Sequence, residues 1–419
     1  MGIQQVKASV ITIGDELLIG QTIDTNSAWM AQELNKIGIW VHRRVAVGDV
    51  WDDIWHALQE EERLSQLILI TGGLGPTADD ITKPLLCHYF GGRMVVDPGA
   101  LANVKHIFEE LLKRPLIERN LKQAEVPDVC RVLQNRRGTA PGMWFEKEGR
   151  IFISMPGVPH EMKGMMTYDI LPELQERFTL PVIEHRSLLT AGMGESFLAE
   201  RIADFETQLP SNIKLAYLPS YGMVRLRLTA TGRSERLVAE LEAEFDMLKS
   251  LVQDILVTDH DIPMQEVVGQ LLAERGKTIG TAESCTGGYI AHLLTSIPGS
   301  SRYFQGSIIS YANAIKTDLL GVDPDVIARH GAVSRETAVQ MVRGAKASLG
   351  TDFVMVTTGI MGPEGGSPEK PVGTVWVGLG YGDAIETHPF HFRFDRQRNT
   401  ELTAAHGLNA LRKFILQHS

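Results

Sequence analysis

Residues 278–288 read TIGTAESCTGG, a short apolar run followed by a polar turn with two glycines. The run from Thr278 to Ala282 predicts a buried strand. Apolar residues then recur at helical spacing and predict a helix after the turn. These residues are Tyr289, Ile290, Leu293, Leu294 and Ile297. Ser284 is therefore predicted to lie at a strand-to-helix turn, the junction from which α/β folds are built.

A serine at such a turn can act as a nucleophile only if a base takes its proton. Lys316, in the downstream segment SYANAIK (310–316), is the candidate base if burial keeps its amine neutral, and Tyr311 could relay or orient the proton. Main-chain amides at the helix start could stabilise an oxyanion or bind a phosphate. These amides belong to Thr286, Gly287 and Gly288. In a plainer interpretation, Ser284 or Thr286 caps the helix and the glycines only make a tight turn.

The first 170 residues alternate between strand and helix patterns. Apolar segments at 8–13, 39–47 and 67–71 predict strands, and helical spacing appears in the two intervals between them. This order predicts a parallel sheet with helices on both faces, in a three-layer α/β domain. Ligands of such sheets gather at the carboxyl ends of the strands.

Polar loops lie at those predicted strand ends. GDELLIG (14–20) runs on to DTNS (24–27), and GGLGPTADD (72–80) follows the third strand. Glycines let a phosphate approach the backbone, and paired carboxylates can hold a divalent cation. GGLG, however, is neither a Walker A nor a Rossmann motif. Asp79 and Asp80 could simply cap the next helix, and Asp15 and Glu16 could form a solvated turn.

The pattern of predicted elements divides the whole chain into three domains and a linker. Residues 1–170 form the first predicted domain, 171–258 a small α+β module, 259–263 a polar linker, and 264–419 a second α/β domain. The turn at 192–195 (GMGE) is either a lid over the N-terminal site or a spacer. Gly365 and Gly366, between predicted strands at 353–358 and 374–379, mark either a ligand contact or a flexible hairpin.

Composition excludes several classes of protein. The 419 residues require two or three domains, and the net charge of −10 without a basic stripe argues against nucleic-acid binding. No apolar run is long enough to span a membrane, and the N-terminus lacks a signal-peptide core, so a cytoplasmic location is expected. Three cysteines without Cys-x-x-Cys spacing argue against disulfides and thiolate metal sites.

Five segments of the C-terminal third resemble the nicotinamide mononucleotide deamidase domain of the CinA (competence/damage-inducible protein) family. They are AESCTGG (282–288), SYANAIK (310–316), HGAVS (330–334), TTGIMGPEGG (357–366) and KPVGTV (370–375). The resemblance implies a cofactor-free Ser–Lys mechanism with Ser284 as nucleophile, Lys316 as base, Tyr311 as relay and Thr358 in the site wall. Arg396 resembles the arginine of the family's Gly-Asp-Arg motif, which makes it either a phosphate ligand or a surface arginine.

Two positions depart from the family pattern. Phe394 stands where the Gly-Asp-Arg motif has glycine, and Met361 stands where alanine is usual. The bulk of Met361 is expected to narrow the substrate pocket.

The N-terminal segments GDELLIG, DTNS, GGLGPTADDIT and MPGVPHEM (155–162) resemble the CinA N-terminal domain, which is related to the molybdopterin-binding fold. Where such domains are active, the activity is a metal-dependent hydrolysis of ADP-ribose to AMP and ribose 5-phosphate. The resemblance implies Asp15 and Asp80 as metal or catalytic carboxylates, with magnesium or a similar ion. Further implied site residues are Glu16, Asp79, Asn26, Gly72, Gly73, Gly75 and Thr77. The middle module resembles the family's KH-like insert.

Three hypotheses follow. In the first, the chain is a bifunctional hydrolase of pyridine-nucleotide recycling that acts on nicotinamide mononucleotide and ADP-ribose. In the second, only the deamidase is active and the N-terminal domain binds molybdopterin or a nucleotide. In the third, the chain is a non-enzymatic scaffold in competence or damage response. The resemblance also implies a homodimer.

Overall fold

The computed structural model describes residues 6–77, 80–232 and 236–418. Up to residue 177 the chain forms eight strands and eight α-helices within the described ranges. The strands are β1 (Lys7–Ile13), β2 (Trp40–Val47), β3 (Leu67–Thr71), β4 (Met94–Val96), β5 (Glu125–Pro127), β6 (Arg131–Leu133), β7 (Gly142–Lys147) and β8 (Arg150–Met155). The helices are α1 (Asp15–Leu18), α2 (Thr25–Lys36), α3 (Trp51–Leu64), α4 (Thr82–Tyr89), α5 (Pro98–Lys105), α6 (Glu118–Leu121), α7 (Pro159–Met165) and α8 (Leu171–Arg177). Short π-helical turns, His106–Leu111 and Met166–Ile170, continue α5 and α7.

Six of these strands form one sheet in the order β2-β1-β3-β8-β7-β6. The pairs β1–β2, β1–β3 and β3–β8 are parallel, as the alternating pattern predicted. β7 pairs antiparallel with both of its neighbours, β8 and β6. The tight hairpin between β7 and β8 reverses the chain without a crossover. The predicted parallel sheet is therefore confirmed, with an antiparallel edge.

Both faces of this sheet are covered. On β3, Leu67 and Leu69 belong to one buried cluster and Ile68 and Ile70 to another. Successive strand side chains point to opposite faces, so a continuous apolar run supplies two cores. The result is the three-layer domain that the sequence predicted.

The middle module (residues 182–258) has a four-stranded sheet in the order β10-β11-β9-β12. Its strands are β9 (Val182–Ala191), β10 (Ile213–Ser220), β11 (Met223–Gly232) and β12 (Leu256–Thr258), and its helices are α9 (Glu195–Arg201), α10 (Ala203–Gln208) and α11 (Leu237–Leu251). α9 and α10 are separate helices that meet at Ile202.

The C-terminal domain (residues 264–418) has a five-stranded sheet in the order β14-β13-β15-β16-β17. Its strands are β13 (Ile279–Glu283), β14 (Phe304–Ile309), β15 (Phe353–Gly359), β16 (Thr374–Tyr381) and β17 (Ala384–His391). Its helices are α12 (Met264–Glu274), α13 (Tyr289–Thr295), α14 (Asn313–Leu320), α15 (Pro324–His330), α16 (Arg335–Leu349) and α17 (Arg396–His418).

β13 lies parallel to both β14 and β15, so the carboxyl ends of all three strands meet at one edge. Phe353 and Met355 of β15 pack in one buried cluster, and Val354 and Val356 pack in another on the opposite face. The C-terminal domain is thus a second α/β layer structure, as predicted.

By their internal contacts the residues fall into two compact units. One comprises the chain up to Glu184 with residues 230–237, and the other comprises 185–229 with 238–419. Most of the middle module thus belongs to the same unit as the C-terminal domain. The finer division into three domains and a linker stays a prediction. Within the described ranges, no helix combines the length and apolar character needed to cross a bilayer.

Candidate active site

Ser284 directly follows β13 at the edge where the parallel strands end. Its amide donates to the carbonyl oxygen of Thr357 on β15 at 3.0 Å, so sheet hydrogen bonding fixes its backbone. Its side chain is buried. The strand-to-helix turn predicted from TIGTAESCTGG is present, with α13 beginning at Tyr289.

Lys316 reaches the same edge from α14. The amide of Ser310, just after β14, donates to the carbonyl of Glu283 at 2.8 Å, which places the start of α14 beside Ser284. Lys316 Nζ lies 2.9 Å from Ser284 Oγ, 2.7 Å from the carbonyl oxygen of Ser310 and 3.3 Å from that of Tyr311. Only 1% of the lysine is exposed. These residues, 32 positions apart in sequence, are thus in hydrogen-bonding contact.

Burial lowers the pKa of Lys316 from its ordinary value of 10.5, although the nearby Cys285 opposes the shift. Within the described residues, each hydrogen-bond partner of its amine is an uncharged oxygen. A neutral amine has two N–H groups and one lone pair. The two carbonyls match the N–H groups, and the lone pair is then free to accept the Ser284 proton.

Tyr311 contacts the lysine through its main chain rather than through its phenol. The side chain is largely exposed, and its hydroxyl accepts a hydrogen bond from Arg396 Nη2 at 2.6 Å. Arg396 Nη1 donates to the carbonyl of Gly362 at 2.9 Å. In this conformation the phenol of Tyr311, the predicted relay residue, therefore contacts Arg396 at the rim of the site. The phosphate-ligand role of Arg396 stays a prediction.

Sequence reasoning missed Glu283, the residue before Ser284. Its side chain is fully buried and accepts four hydrogen bonds from the turn and from the first turn of α13. The donors are the Thr286 hydroxyl (2.7 Å) and the amides of Gly288 (3.0 Å), Ile290 (3.1 Å) and Ala291 (2.7 Å). An acidic residue five positions before Gly288, the N-cap of α13, was the available signal, because carboxylates favour the amides of a helix N-terminus.

This carboxylate changes which amides can serve a substrate. The Gly288 amide donates to Glu283, and the Gly287 amide donates to the Ser284 carbonyl at 3.2 Å. In this conformation both amides therefore have acceptors inside the chain, and their role in stabilising an oxyanion stays a prediction. Within the described residues, no main-chain carbonyl accepts from the amides of Cys285 and Thr286, and the Cys285 amide contacts its own thiol. These two amides are the remaining candidate donors at the turn.

Other predicted residues of this site lie in the wall. The Thr358 hydroxyl donates to the carbonyl of Ala332 at 2.8 Å, and the Thr286 hydroxyl is held between Glu283 and the Thr357 hydroxyl. Gly365 and Gly366 lie exposed in the loop between β15 and β16. Met361 is packed in the main hydrophobic cluster of the domain, so its bulk fills the core. The expectation that it narrows the pocket is not supported by this placement.

Cys285, next to the nucleophile, is buried, and burial raises the pKa of its thiol to about 12. The thiol is therefore neutral at physiological pH, as expected of a small buried side chain rather than a nucleophile.

The predicted N-terminal segments converge around Gly72. A Cβ at Gly72, whose φ is 113°, would lie 2.1 Å from the carbonyl oxygen of Ile13, so β1 and the loop after β3 approach as closely as glycine allows. Asn26 Nδ2 donates to the carbonyl of Gly157 at 2.7 Å, and the Thr71 hydroxyl donates to that of Pro156 at 2.9 Å. Three predicted segments thus meet near Gly72, namely residues 24–27, 72–77 and 155–162.

The acidic residues of this region are held by main-chain donors. Asp15 and Asp49 exchange amide-to-carboxylate bonds of 3.2 and 3.1 Å, and Asp49 was not predicted from sequence. Asp80 accepts from the amides of Gly75 (2.7 Å) and Thr77 (2.8 Å), so it closes its own loop instead of capping α4. Glu16 is exposed at the start of α1. Asp79 lies outside the described residues.

The amides expected to bind pyrophosphate are partly occupied. Gly72 donates to the carbonyl of Met155 at 3.2 Å, and Gly75 donates to Asp80. In this conformation the amides of Gly72 and Gly75 therefore have acceptors inside the chain, and the predicted pyrophosphate-binding roles of Gly72, Gly73 and Gly75 stay predictions.

A divalent cation is chemically compatible with this region. The described residues contain no group of three or more His, Cys, Asp and Glu side chains around one point. Magnesium, however, is commonly held by one or two carboxylates plus substrate phosphates. Asn26 Oδ1 and Thr82 Oγ1 are buried here without a hydrogen-bond partner among the described residues. The donors present are oxygens, which a hard cation prefers.

The GMGE turn of the middle module faces the C-terminal domain. Residues 192–195 and the β10–β11 hairpin line a cavity of about 680 Å³ together with Arg398 and His406 of α17. The lid hypothesis placed this turn over the N-terminal site; here it lines a cavity next to α17 instead.

Together, these features define a multidomain α/β chain with a buried Ser–Lys pair in its C-terminal domain. Residues 261–415 match the family described as CinA C-terminal domain, 9–176 match "Probable molybdopterin binding domain", and 185–255 match "Damage-inducible protein CinA KH domain". A CinA-like protein of Cytophaga hutchinsonii is 45% identical over 410 residues, which cover 97% of this chain and 98% of the relative. A putative competence-damage inducible protein of Caldicellulosiruptor bescii is 40% identical over 98% of this chain and 100% of its own length.

The chain belongs to the CinA family, as its motifs predicted. Among solved structures, the protein CinA of Thermoplasma acidophilum, described as of unknown function, is 35% identical. It covers 41% of this chain and 97% of its own, with a TM-score of 0.36.

Proposed function

We propose that the C-terminal domain hydrolyses the carboxamide of nicotinamide mononucleotide, giving nicotinate mononucleotide and ammonia. The observation that carries this proposal is the 2.9 Å contact between Ser284 Oγ and the amine of Lys316, which is buried among uncharged acceptors. A buried lysine with a lowered pKa can act as a general base, which an ordinary surface lysine cannot do at neutral pH.

The chemistry follows from this arrangement. Lys316 takes the hydroxyl proton as Ser284 Oγ attacks the carboxamide carbon. The amides of Cys285 and Thr286 bind the oxyanion of the tetrahedral intermediate. Lys316 then returns the proton to the leaving nitrogen, ammonia departs, and an acyl ester remains on Ser284. Lys316 takes a proton from water as the water attacks the ester carbon, and it returns that proton to Ser284 Oγ as the C–O bond breaks and the acid leaves.

The nucleotide part of the substrate is assigned to the rim. Arg396 is exposed and uses Nη1 and Nη2 on Gly362 and Tyr311, which orients its guanidinium and leaves further N–H donors. A guanidinium with its planar set of donors suits a phosphate. Family membership supports a pyridine nucleotide as the substrate.

Ammonia release from nicotinamide mononucleotide tests the proposal. Ser284→Ala and Lys316→Met are expected to lower kcat by about 10³-fold or more, because each removes a member of a unit that acts together. Lys346→Met is the matched control, since Lys346 also donates to a main-chain carbonyl, that of Gly382. An inactive parent, or a fully active Ser284→Ala variant, contradicts the proposal.

A second activity is favoured by the N-terminal loops. We propose that the region around Gly72 hydrolyses the pyrophosphate of ADP-ribose, because three loops and two unpartnered buried oxygens converge there. Asp15 and Asp80 would hold a divalent ion. When bound, such an ion neutralises phosphate charge and supplies an activated water. Asn26 and Thr82 are assigned to orient the substrate, and Gly73 lets its phosphates approach the main chain.

Release of AMP from ADP-ribose with and without magnesium tests this second activity. Asp15→Asn and Asp80→Asn are expected to abolish metal-dependent release while ammonia release continues. Binding of ADP-ribose without AMP formation would contradict hydrolysis and favour the hypothesis of a nucleotide-binding domain.

A further inference from the structure

Glu283 is the most extensively hydrogen-bonded carboxylate next to the proposed nucleophile, yet it takes no part in the proton transfers. It is fully buried, its backbone is the last position of β13, and Ser284 follows it directly. Its carbonyl oxygen accepts from the Ser310 amide at 2.8 Å, which joins it to the start of the Lys316 segment. Glu283 thus precedes Ser284 in the chain and hydrogen-bonds to Ser310, whose carbonyl oxygen accepts from Lys316 at 2.7 Å.

The side chain organises the turn after Ser284. One carboxylate oxygen accepts from the Thr286 hydroxyl and the amides of Gly288 and Ile290, while the other accepts from the Ala291 amide. The first-turn amides of a helix otherwise point outward and attract anions. With Glu283 in place, these donors are satisfied inside the protein.

The consequence concerns the substrate oxyanion. If the α13 amides were open, a substrate carbonyl or phosphate could bind them and sit away from Ser284. Occupation by Glu283 leaves the amides of Cys285 and Thr286, one and two residues after the nucleophile. The Thr286 hydroxyl, held at 2.7 Å by Glu283, fixes the peptide that carries one of these amides.

We infer that Glu283 is a positioning residue that builds the oxyanion site, by filling the α13 N-terminus and orienting the Cys285–Thr286 peptide toward the tetrahedral intermediate. This inference rests on the proposed function only for the identity of the substrate. The geometric claim applies to any acyl or phosphonyl group attached to Ser284.

Glu283→Gln tests the positioning role. The amide keeps the shape but turns an NH₂ group toward main-chain N–H donors, so the turn loses part of its support. We expect kcat for nicotinamide mononucleotide to fall about 10²-fold, as for loss of an oxyanion donor, with KM changed less than about threefold. If Glu283 had only a structural role, the variant would show a smaller active fraction and a lower thermal stability, but the kcat of its folded molecules would not fall.

Asp352→Asn is the matched control. The Asp352 carboxylate accepts from both the amide and the hydroxyl of Thr278 at 2.9 Å, at the amino ends of β13 and β15, opposite Ser284. It should lose stability and keep kcat. If Glu283→Gln does not fold, Thr286→Val decides, because it removes the hydroxyl that bonds to Glu283 and Thr357 but keeps the carboxylate and its main-chain donors. A Thr286→Val enzyme with the parent kcat would overturn the inference.

Labelling of Ser284 by an alkyl fluorophosphonate separates this inference from the proposed substrate. The serine oxygen bonds to phosphorus, fluoride leaves, and the phosphonyl oxygen occupies the oxyanion site. Slower labelling of Glu283→Gln than of the parent and Asp352→Asn supports the inference, even if the parent does not deamidate the nucleotide. Equal labelling rates overturn it, and a parent that is neither labelled nor active overturns both proposals.

Discussion

Lys316 shows how one buried residue determines the chemistry of its neighbours. Its amine has lost water and gained carbonyl and hydroxyl oxygens but no carboxylate in the described chain, so the charged form is disfavoured. The family resemblance made Lys316 the candidate base, because a Ser–Lys pair belongs to the family pattern. Burial, which makes the lysine basic enough to act, appears only when α14 packs beside β13.

Activity is expected to follow the protonation of Lys316. Since only the neutral amine accepts the serine proton, kcat/KM should rise with pH and level off at a pH below the ordinary lysine pKa of 10.5. A pH–rate profile measures this. A profile whose midpoint lies at or above 10.5 would contradict the role of burial.

The free energy of unfolding should also depend on pH through the protonation of Lys316. Between the lowered folded pKa and the unfolded value, the unfolded chain binds a proton at Lys316 that the folded chain does not, so folding becomes more favourable as pH rises. Denaturant unfolding of the parent and of Lys316→Met should show that the parent gains stability relative to the variant across this range. A constant difference would mean that the pKa of Lys316 is not shifted.

Helix α17 is the element that joins the rim of the site to the core. Arg396 is its first residue, and Asn399, one turn later, is buried. Asn399 Nδ2 donates to the carbonyls of Met361 (3.1 Å) and Phe394 (2.9 Å), and its Oδ1 accepts from the Phe394 amide (3.2 Å). The helix therefore holds both the loop after β15 and the segment that presents Arg396.

Asn399→Ala should displace Arg396 and raise KM for nicotinamide mononucleotide by roughly tenfold, with a smaller change in kcat. Unpaired buried carbonyls should also cost about 1–3 kcal/mol of stability. Steady-state kinetics and thermal unfolding measure the two effects. Asn409→Ala, a control on the same helix, should leave KM unchanged; an unchanged KM in Asn399→Ala would separate Arg396 from substrate binding.

At the scale of the whole molecule, the division into two units is the feature that matters for function. The proposed sites lie in different units. Most residues of the middle module belong to the same unit as the C-terminal domain. The Tyr221 hydroxyl hydrogen-bonds to Glu401 of α17, and this bond raises the pKa of the tyrosine. Met223 also packs against the C-terminal core.

Calorimetry should therefore resolve two unfolding transitions, with the middle module melting in the C-terminal one. Nicotinamide mononucleotide added to Ser284→Ala should raise the midpoint of the C-terminal transition, and ADP-ribose with magnesium should raise that of the N-terminal one. At a ligand concentration one hundred times Kd, each ligand should add about 2.7 kcal/mol to the free energy of unfolding of its unit. A single transition raised by both ligands would contradict independent units. The homodimer implied by the family resemblance stays a prediction that sedimentation equilibrium would check.

The sequence by itself determined the α/β class, the family, and Ser284 at a strand-to-helix turn, because local apolar patterns and contiguous motifs carry that information. It missed β10, a half-exposed strand that ends in proline and serine, since a partly solvated hairpin has no strong apolar alternation. It also assigned Gly72, Gly75, Gly287 and Gly288 amides to ligands, although main-chain and carboxylate acceptors take them.

Only the tertiary structure decided what surrounds each candidate. Glu283 became a buried acceptor because the α13 amides fold over it, and Met361 became a core residue because the loop after β15 turns inward. Asp49 joined Asp15 across two loops. Burial and hydrogen-bond partners are properties of residues distant in sequence, so a chemical role that depends on them is set when the strands and helices pack together.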